Sequence, residues 1–183
     1  MLGGVALWAG ALPWVELRRM TDLGLVSVLP PLAYLGLAIL AASFCLAVRR
    51  RETPEPVLLA HVAALVLLIH ATPPLVYGTL RYSWAWKHVG IVDYIQRHGS
   101  VDPGIAYLNA YHNWPGFFAL SALALGAAGV PSAIGVATWA PPVFNLLFGG
   151  GVLLVVRALT TDRRLVWLSV WLFVATNWVG QDY

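Results

Sequence analysis

Apolar positions along this chain form long unbroken runs, and charges are confined to the gaps between them. Five stretches are apolar enough to lie in a bilayer: residues 2–15, 24–48, 57–77, 141–156 and 165–179. The second and third carry no charge and run about 25 and about 21 residues, enough for a hydrocarbon core about 30 Å thick. The first is short and lacks a basic leading segment, so it reads as a short span or a membrane-embedded start rather than a signal peptide. The pattern predicts an all-α integral membrane protein of about four to five transmembrane helices.

The charges between the runs orient them. Arg49-Arg50-Arg51-Glu52, with Pro54 and Pro56, makes a tight basic turn between the second and third runs. Short basic loops are retained in the cytoplasm. The third span then exits outward, and the long loop 78–115 faces outside. Arg157, Arg163 and Arg164 form the next basic cluster and should again lie inside. If residues 117–130 also crossed, that cluster would land outside. They are therefore expected to form a re-entrant or interfacial helix, and the next true span is 141–156. Trp139 and Trp178 then fall at the outer boundary, where indole rings prefer to sit.

Details inside the runs carry further expectations. Gly149-Gly150-Gly151 predicts close helix packing by small residues, and Asn145 an interhelical hydrogen bond. His61 and His70 lie within the third span and are expected to be neutral and bonded to neighbouring carbonyls. Intramembrane ionisable residues are also functional candidates. Thr72-Pro73-Pro74 predicts a kink near the outer end of that span.

Composition agrees with the pattern: 60% of the 183 residues are hydrophobic and 10% charged, against about 25% charged in soluble domains. The excess of 11 Lys+Arg over 8 Asp+Glu is scattered and gives no basis for a nucleic-acid partner. Cys45 is the single cysteine and sits in an apolar run, so it is expected to be a packing residue. It has no second cysteine in the chain for a disulfide or thiolate metal site. No Gly-rich phosphate loop, paired-histidine motif or Ser-His-Asp spacing appears, and neither a metal nor a cofactor is expected.

The residues for chemistry lie between positions 78 and 116, a connector far longer than a passive one needs to be. It contains Arg81-Tyr82-Ser83-Trp84-Ala85-Trp86-Lys87-His88, then Asp93, His98-Gly99-Ser100-Val101-Asp102-Pro103, and closes with Tyr111-His112-Asn113-Trp114-Pro115-Gly116. Apolar Trp86, Val89, Val92 and Ile95 recur at helical spacing and predict an amphipathic helix over 86–95, stopped by His98-Gly99. It would lie flat on the outer surface, with Lys87, His88 and Asp93 away from lipid. Aromatic faces stack on sugar rings, Arg, Lys or His meets phosphate, and a carboxylate can take the proton of an attacking hydroxyl. The candidate catalytic residues are Asp93, Asp102 and, at the far end of the chain, Asp182. The candidate substrate-binding residues are Arg81, Trp84, Lys87, His88, His112 and Trp114. The plainer alternative is an interfacial aromatic belt with snorkelling cations.

The order of span, long outer loop with an amphipathic helix, Trp114-Pro115, apolar helix, Gly129-Val130-Pro131-Ser132-Ala133 and a span hairpin with a basic turn resembles the amino-terminal part of GT-C type membrane glycosyltransferases. The resemblance covers roughly residues 57–183; residues 1–56 would be an extra amino-terminal helix pair with its basic inner turn. It implies a multi-pass cell-membrane enzyme that takes a sugar from a lipid-linked phosphosugar donor to a glycan or lipid acceptor. Many members carry an acidic pair just after the first core span. Here Trp84-Ala85 holds that place, which moves the role of base to Asp93, Asp102 or Asp182. The ending at Gln181-Asp182-Tyr183, without a basic anchor, reads as the front part of a larger protein. The alternatives are a transporter or flippase, and a non-catalytic membrane scaffold.

Overall fold

The computed structural model describes residues 1–80, 83–107 and 109–177. Arg81, Trp178, Asp182 and the end of the last apolar stretch lie outside the described residues. In chain order the helices are α1 (Leu2–Ala11), α2 (Pro31–Arg49), α3 (Glu55–Val66), α4 (Thr72–Tyr77), α5 (Ser83–His98), α6 (Asn109–Asn113), α7 (Gly116–Ala127), α8 (Ile134–Leu159) and α9 (Arg163–Thr176). A π-helical turn, Leu67–Ala71, joins α3 to α4. The only pairing of strand type among the described residues is an isolated bridge, Thr21 to Gly24. The protein is thus all-α, and among the described residues three segments are long and apolar enough to cross a membrane: Pro31–Arg49, Glu55–Tyr77 and Ile134–Leu159. The chain divides into one unit of Met1–Val76 with Pro141–Tyr183, and a second of Tyr77–Ala140.

The first unit is built on hairpins. Proline in the first turn of α2 and of α3 starts each helix where its missing N–H is not needed. Leu40, Phe44, Leu58, Leu65, Val66, Trp167 and Val174 are enclosed between α2, α3 and α9, and Phe44 stacks on Trp171 at 4.1 Å. Lipid is as apolar as these side chains, so close packing and hydrogen bonds hold the helices together. The closest approach is between α1 and α2. A Cβ built on Gly4 would stand 2.6 Å from the Gly36 carbonyl oxygen, and one on Gly36 would stand 2.5 Å from that of Gly4. The small-residue contact expected at Gly149-Gly150-Gly151 is thus found elsewhere. Only Gly149 faces a neighbour, Val174, at ordinary contact distance, whereas a Cβ on Gly150 or Gly151 would meet nothing within 4 Å. Cys45, expected as a packing residue, lies on the exposed side of α2.

Buried polar groups within this unit find partners in short chains. His61 Nδ1 donates to Val57 O at 2.7 Å, so its Nε2 accepts, and Ser43 Oγ lies 2.8 Å from it. Asn177 Nδ2 donates to Asn145 Oδ1 at 2.5 Å, the interhelical bond expected of Asn145. The π turn takes the place of the expected kink. Pro73 and Pro74 have no N–H to give the preceding turn, and local π geometry with a threonine hydroxyl is one way a span accommodates this. Thr72 Oγ1 donates to Leu68 O at 2.5 Å and accepts from the Trp8 indole at 2.8 Å. His70 departs from expectation. It is buried, and its Nε2 has no hydrogen-bond partner among the described residues.

The two basic clusters meet. Arg163 donates to the carbonyls of Arg50 (3.2 Å), Arg51 (3.5 Å) and Thr53, Arg164 donates to Arg49 O at 3.0 Å, and Arg157 pairs with Glu55 at 2.5 Å. The α2–α3 turn and the α8–α9 turn therefore share one end of the unit. The helix expected to begin at Pro141 begins instead at Ile134 and runs through Pro141-Pro142. The boundary between the units falls at that proline pair, which withholds two N–H donors from the preceding turn.

Candidate functional site

The second unit consists of α5, α6, α7 and the first turns of α8. Helix α5 is longer than the predicted 86–95 and spans Ser83–His98. Its end was legible: Gly99 adopts φ +66°, the left-handed conformation glycine accepts readily, and its N–H returns to Ile95 O at 2.8 Å. Arg97 and His98 occupy the last turn, where cations favour the helix dipole. Helix α7 ends in a Schellman arrangement, with Val130 N bonded to Leu125 O and Gly129 N to Gly126 O. Val89, Ile91 and Val92 of α5 pack against Phe118, Ala122 and Leu125 of α7. Of the predicted apolar stripe, Val89, Val92 and Ile95 join this core, while Trp86 stays partly exposed and donates to Leu80 O at 3.2 Å.

Two clusters of candidate residues stand on this scaffold. In the first, the Lys87 ammonium lies 3.9 Å above the Trp84 ring and 5.7 Å from that of Tyr107, with no carboxylate partner among the described residues. Both rings are substantially exposed, at 43% and 68%, so they are free to meet a ligand. His88, one residue on, is held among Tyr111 (5.2 Å), Phe118 (5.5 Å) and Trp84 (6.3 Å). Burial lowers its pKa from the ordinary 6.5, so near neutral pH the ring is uncharged. Burial thus disfavours the charged form that offsetting phosphate charge would call for. Its enclosed Nε2 has no partner among the described residues.

The second cluster surrounds Tyr94. His98 stacks on it at 4.0 Å and buried His112 meets it edge-on at 5.2 Å. The Asp102 N–H donates to His112 Nδ1 at 3.1 Å, which puts the proton of a neutral His112 on Nε2. Asp102 Oδ1 accepts from Gly104 N at 2.9 Å and closes a local turn. This leaves its other carboxylate oxygen without a bond among the described residues. Asp93 differs, being paired with Arg97 one turn along α5. Adjacent Tyr111 and His112 on α6 join the two clusters.

Six of the nine candidate residues thus gather on this unit in defined settings: Trp84, Lys87, His88, Asp93, Asp102 and His112. Trp114 is 85% exposed and packs with none of them. Arg81 and Asp182 lie outside the described residues. Sequence reasoning missed Tyr94, Tyr107 and Tyr111 as partners; of these only Tyr94 carried a local signal, its four-residue spacing to His98 on α5. Among the described residues no three His, Cys, Asp or Glu side chains are grouped to hold a metal ion. No family model, curated protein or solved structure matches the chain.

Proposed function

We propose that this chain belongs to a membrane glycosyltransferase that uses a polyprenyl-phosphate sugar at the outer face of the cell membrane. The observation that carries the proposal is Lys87, a cation between two exposed aromatic rings, on the unit that also holds the half-free carboxylate of Asp102. The rings would stack on the sugar and Lys87 would meet the phosphate. Asp102 would take the proton of the acceptor hydroxyl, whose oxygen attacks the anomeric carbon. The anomeric carbon–oxygen bond then breaks, and its electron pair leaves on the polyprenyl phosphate, where Lys87 offsets the added charge. Asp93 is the weaker candidate for base, because Arg97 already occupies it.

Two features support the outward orientation. Both arginine clusters share one end of the spans, as expected of a cytoplasmic end. Helix α7 has 12 residues, about 18 Å at the α-helical rise, which is too short to cross and suits an interfacial helix with Phe117, Leu120 and Leu123 exposed. In this reading α2, α3–α4 and α8 cross, the longer apolar stretch 165–179 that begins in α9 crosses with them, and α1 is a short embedded start. The test is sugar transfer from a labelled polyprenyl phosphosugar in membranes containing the whole protein. Asp102→Asn is expected to lose about 10²- to 10⁴-fold, as when a general base is removed, with normal insertion. Full activity in Asp102→Asn, Asp93→Asn and Asp182→Asn together would refute the assignment of the base.

One observation favours a transporter instead: His70, buried with an unpartnered Nε2 in a π turn of a span. Substrate flux into vesicles that is abolished by His70→Phe, without sugar transfer, would select that reading.

A further inference from the structure

The meeting of the arginine clusters leaves a pocket of about 390 Å³ lined by Val48, Arg51, Asp162, Arg163 and Arg164. Its charges are not equivalent. Arg163 is spent on three carbonyls of the α2–α3 turn and acts as a strut. Among the described residues the one bond of the Arg164 guanidinium is from Nη2 to Arg49 O, which leaves most of its donors open. The Arg51 side chain has no partner among the described residues and is exposed. Asp162 offsets only part of this charge, one carboxylate against three arginines in the lining, and its Oδ1 caps α9 through Arg164 N (2.8 Å) and Leu165 N (3.4 Å). Open guanidinium donors therefore face a cavity at the end of membrane-spanning helices, with apolar Val48 in its wall. From there α9 continues with Leu165, Leu168 and Leu172 exposed, at 53%, 36% and 58%.

We propose that this pocket binds the phosphate of an anionic phospholipid headgroup, with Arg51 and Arg164 as the donors and the acyl chains lying along the exposed leucines of α9. Planar guanidinium groups match phosphate oxygens in pairs, and basic pockets at the ends of transmembrane helices suit anionic lipids. A free phosphate ion shares the chemistry of the headgroup but cannot use the leucines, so the two sources are separable. The site is independent of the outer clusters and of the glycosyltransferase proposal.

The test uses the purified full chain in a neutral detergent, titrated with short-chain phosphatidylglycerol, short-chain phosphatidylcholine or inorganic phosphate. Tryptophan fluorescence and the thermal midpoint are the readouts. Phosphatidylglycerol is expected to bind and raise the midpoint, with phosphatidylcholine and inorganic phosphate much weaker. Arg51→Gln, which breaks no contact of the fold, should weaken phosphatidylglycerol binding about fivefold, the effect of one basic residue at an anionic surface. Arg18→Gln, an exposed arginine that does not line the pocket, should bind as the parent does. Equal binding of the two lipids, or an Arg51→Gln variant that binds phosphatidylglycerol like the parent, would overturn the proposal. Inorganic phosphate as effective as the lipid would overturn the lipid source.

Discussion

Replacing Gly4 by alanine sets a methyl group against the backbone of α2. The new Cβ would lie 2.6 Å from Gly36 O and 3.1 Å from Leu40 N, and ordinary contact begins at 3.4 Å. The shortfall to Gly36 O is 0.8 Å, and both obstacles are main-chain atoms that no rotamer change can move. Helix α1 must retreat. Overpacking of this kind costs about 1–3 kcal/mol. The retreat also strains the Trp8–Thr72 hydrogen bond one turn along α1. Alanine has a helix-propensity advantage over glycine of about 1 kcal/mol, which would mask part of the loss. Gly3→Ala carries the same advantage with nothing within 4 Å of its Cβ, and it is the proper reference. Reversible unfolding of the purified protein in mixed micelles should therefore place Gly4→Ala about 1–3 kcal/mol below Gly3→Ala. Gly36→Ala should behave like Gly4→Ala, and the double variant should lose less than the sum, since one separation relieves both clashes. Equal stability of Gly3→Ala and Gly4→Ala would refute the close crossing.

Two further outcomes follow from single polar groups. Thr72→Val keeps the shape of the side chain but leaves the buried Trp8 N–H without an acceptor, a loss of about 1–3 kcal/mol. Thr72→Ser should recover most of it, and unfolding followed by tryptophan fluorescence will show whether it does. Burial lowers the His88 pKa from 6.5, so the unfolded chain binds that proton more readily than the folded one. The stability at stake is complete above 6.5 and is lost as pH falls toward the folded value. Thermal midpoints should drop from about pH 7.5 to about pH 5, less steeply in His88→Phe; identical slopes in the two proteins would contradict it.

Much of the architecture could be read from hydropathy and charge, because lipid imposes length and continuity on a span and arginine marks its ends. The 57–77 run became the α3–α4 span, the 24–48 run became α2 only from Pro31 onward, with a 3₁₀ turn at Leu25–Val28 before it, and the two basic turns came together. What misled was proline. Pro141 looked like a helix start, yet α8 begins seven residues earlier, because a span can absorb missing donors that would end a soluble helix. Glycine misled too. Three consecutive glycines in α8 attracted attention, whereas the real close contact pairs two glycines 32 positions apart, a relation that no local window contains. In the site, aromatic and charged residue types marked the segment. The Lys87–Trp84–Tyr107 grouping depended on how the loop after α5 returns, and that is fixed by packing rather than by spacing.

The π turn bears on how this chain should be aligned with any variant of it. Five residues, Leu67–Ala71, occupy the wide turn, and a plain α-helix would need one fewer. Each residue advances an α-helix by about 100°, so winding the same five residues as regular α-helix would swing everything downstream by that angle. Thr72 would then point away from the Trp8 indole, and the prolines behind it would face a different neighbour. A deletion at one of these five positions would close the turn to a regular α-helix and keep the phase of the outer end, whereas a deletion in α3, equally harmless to hydropathy, would rotate it.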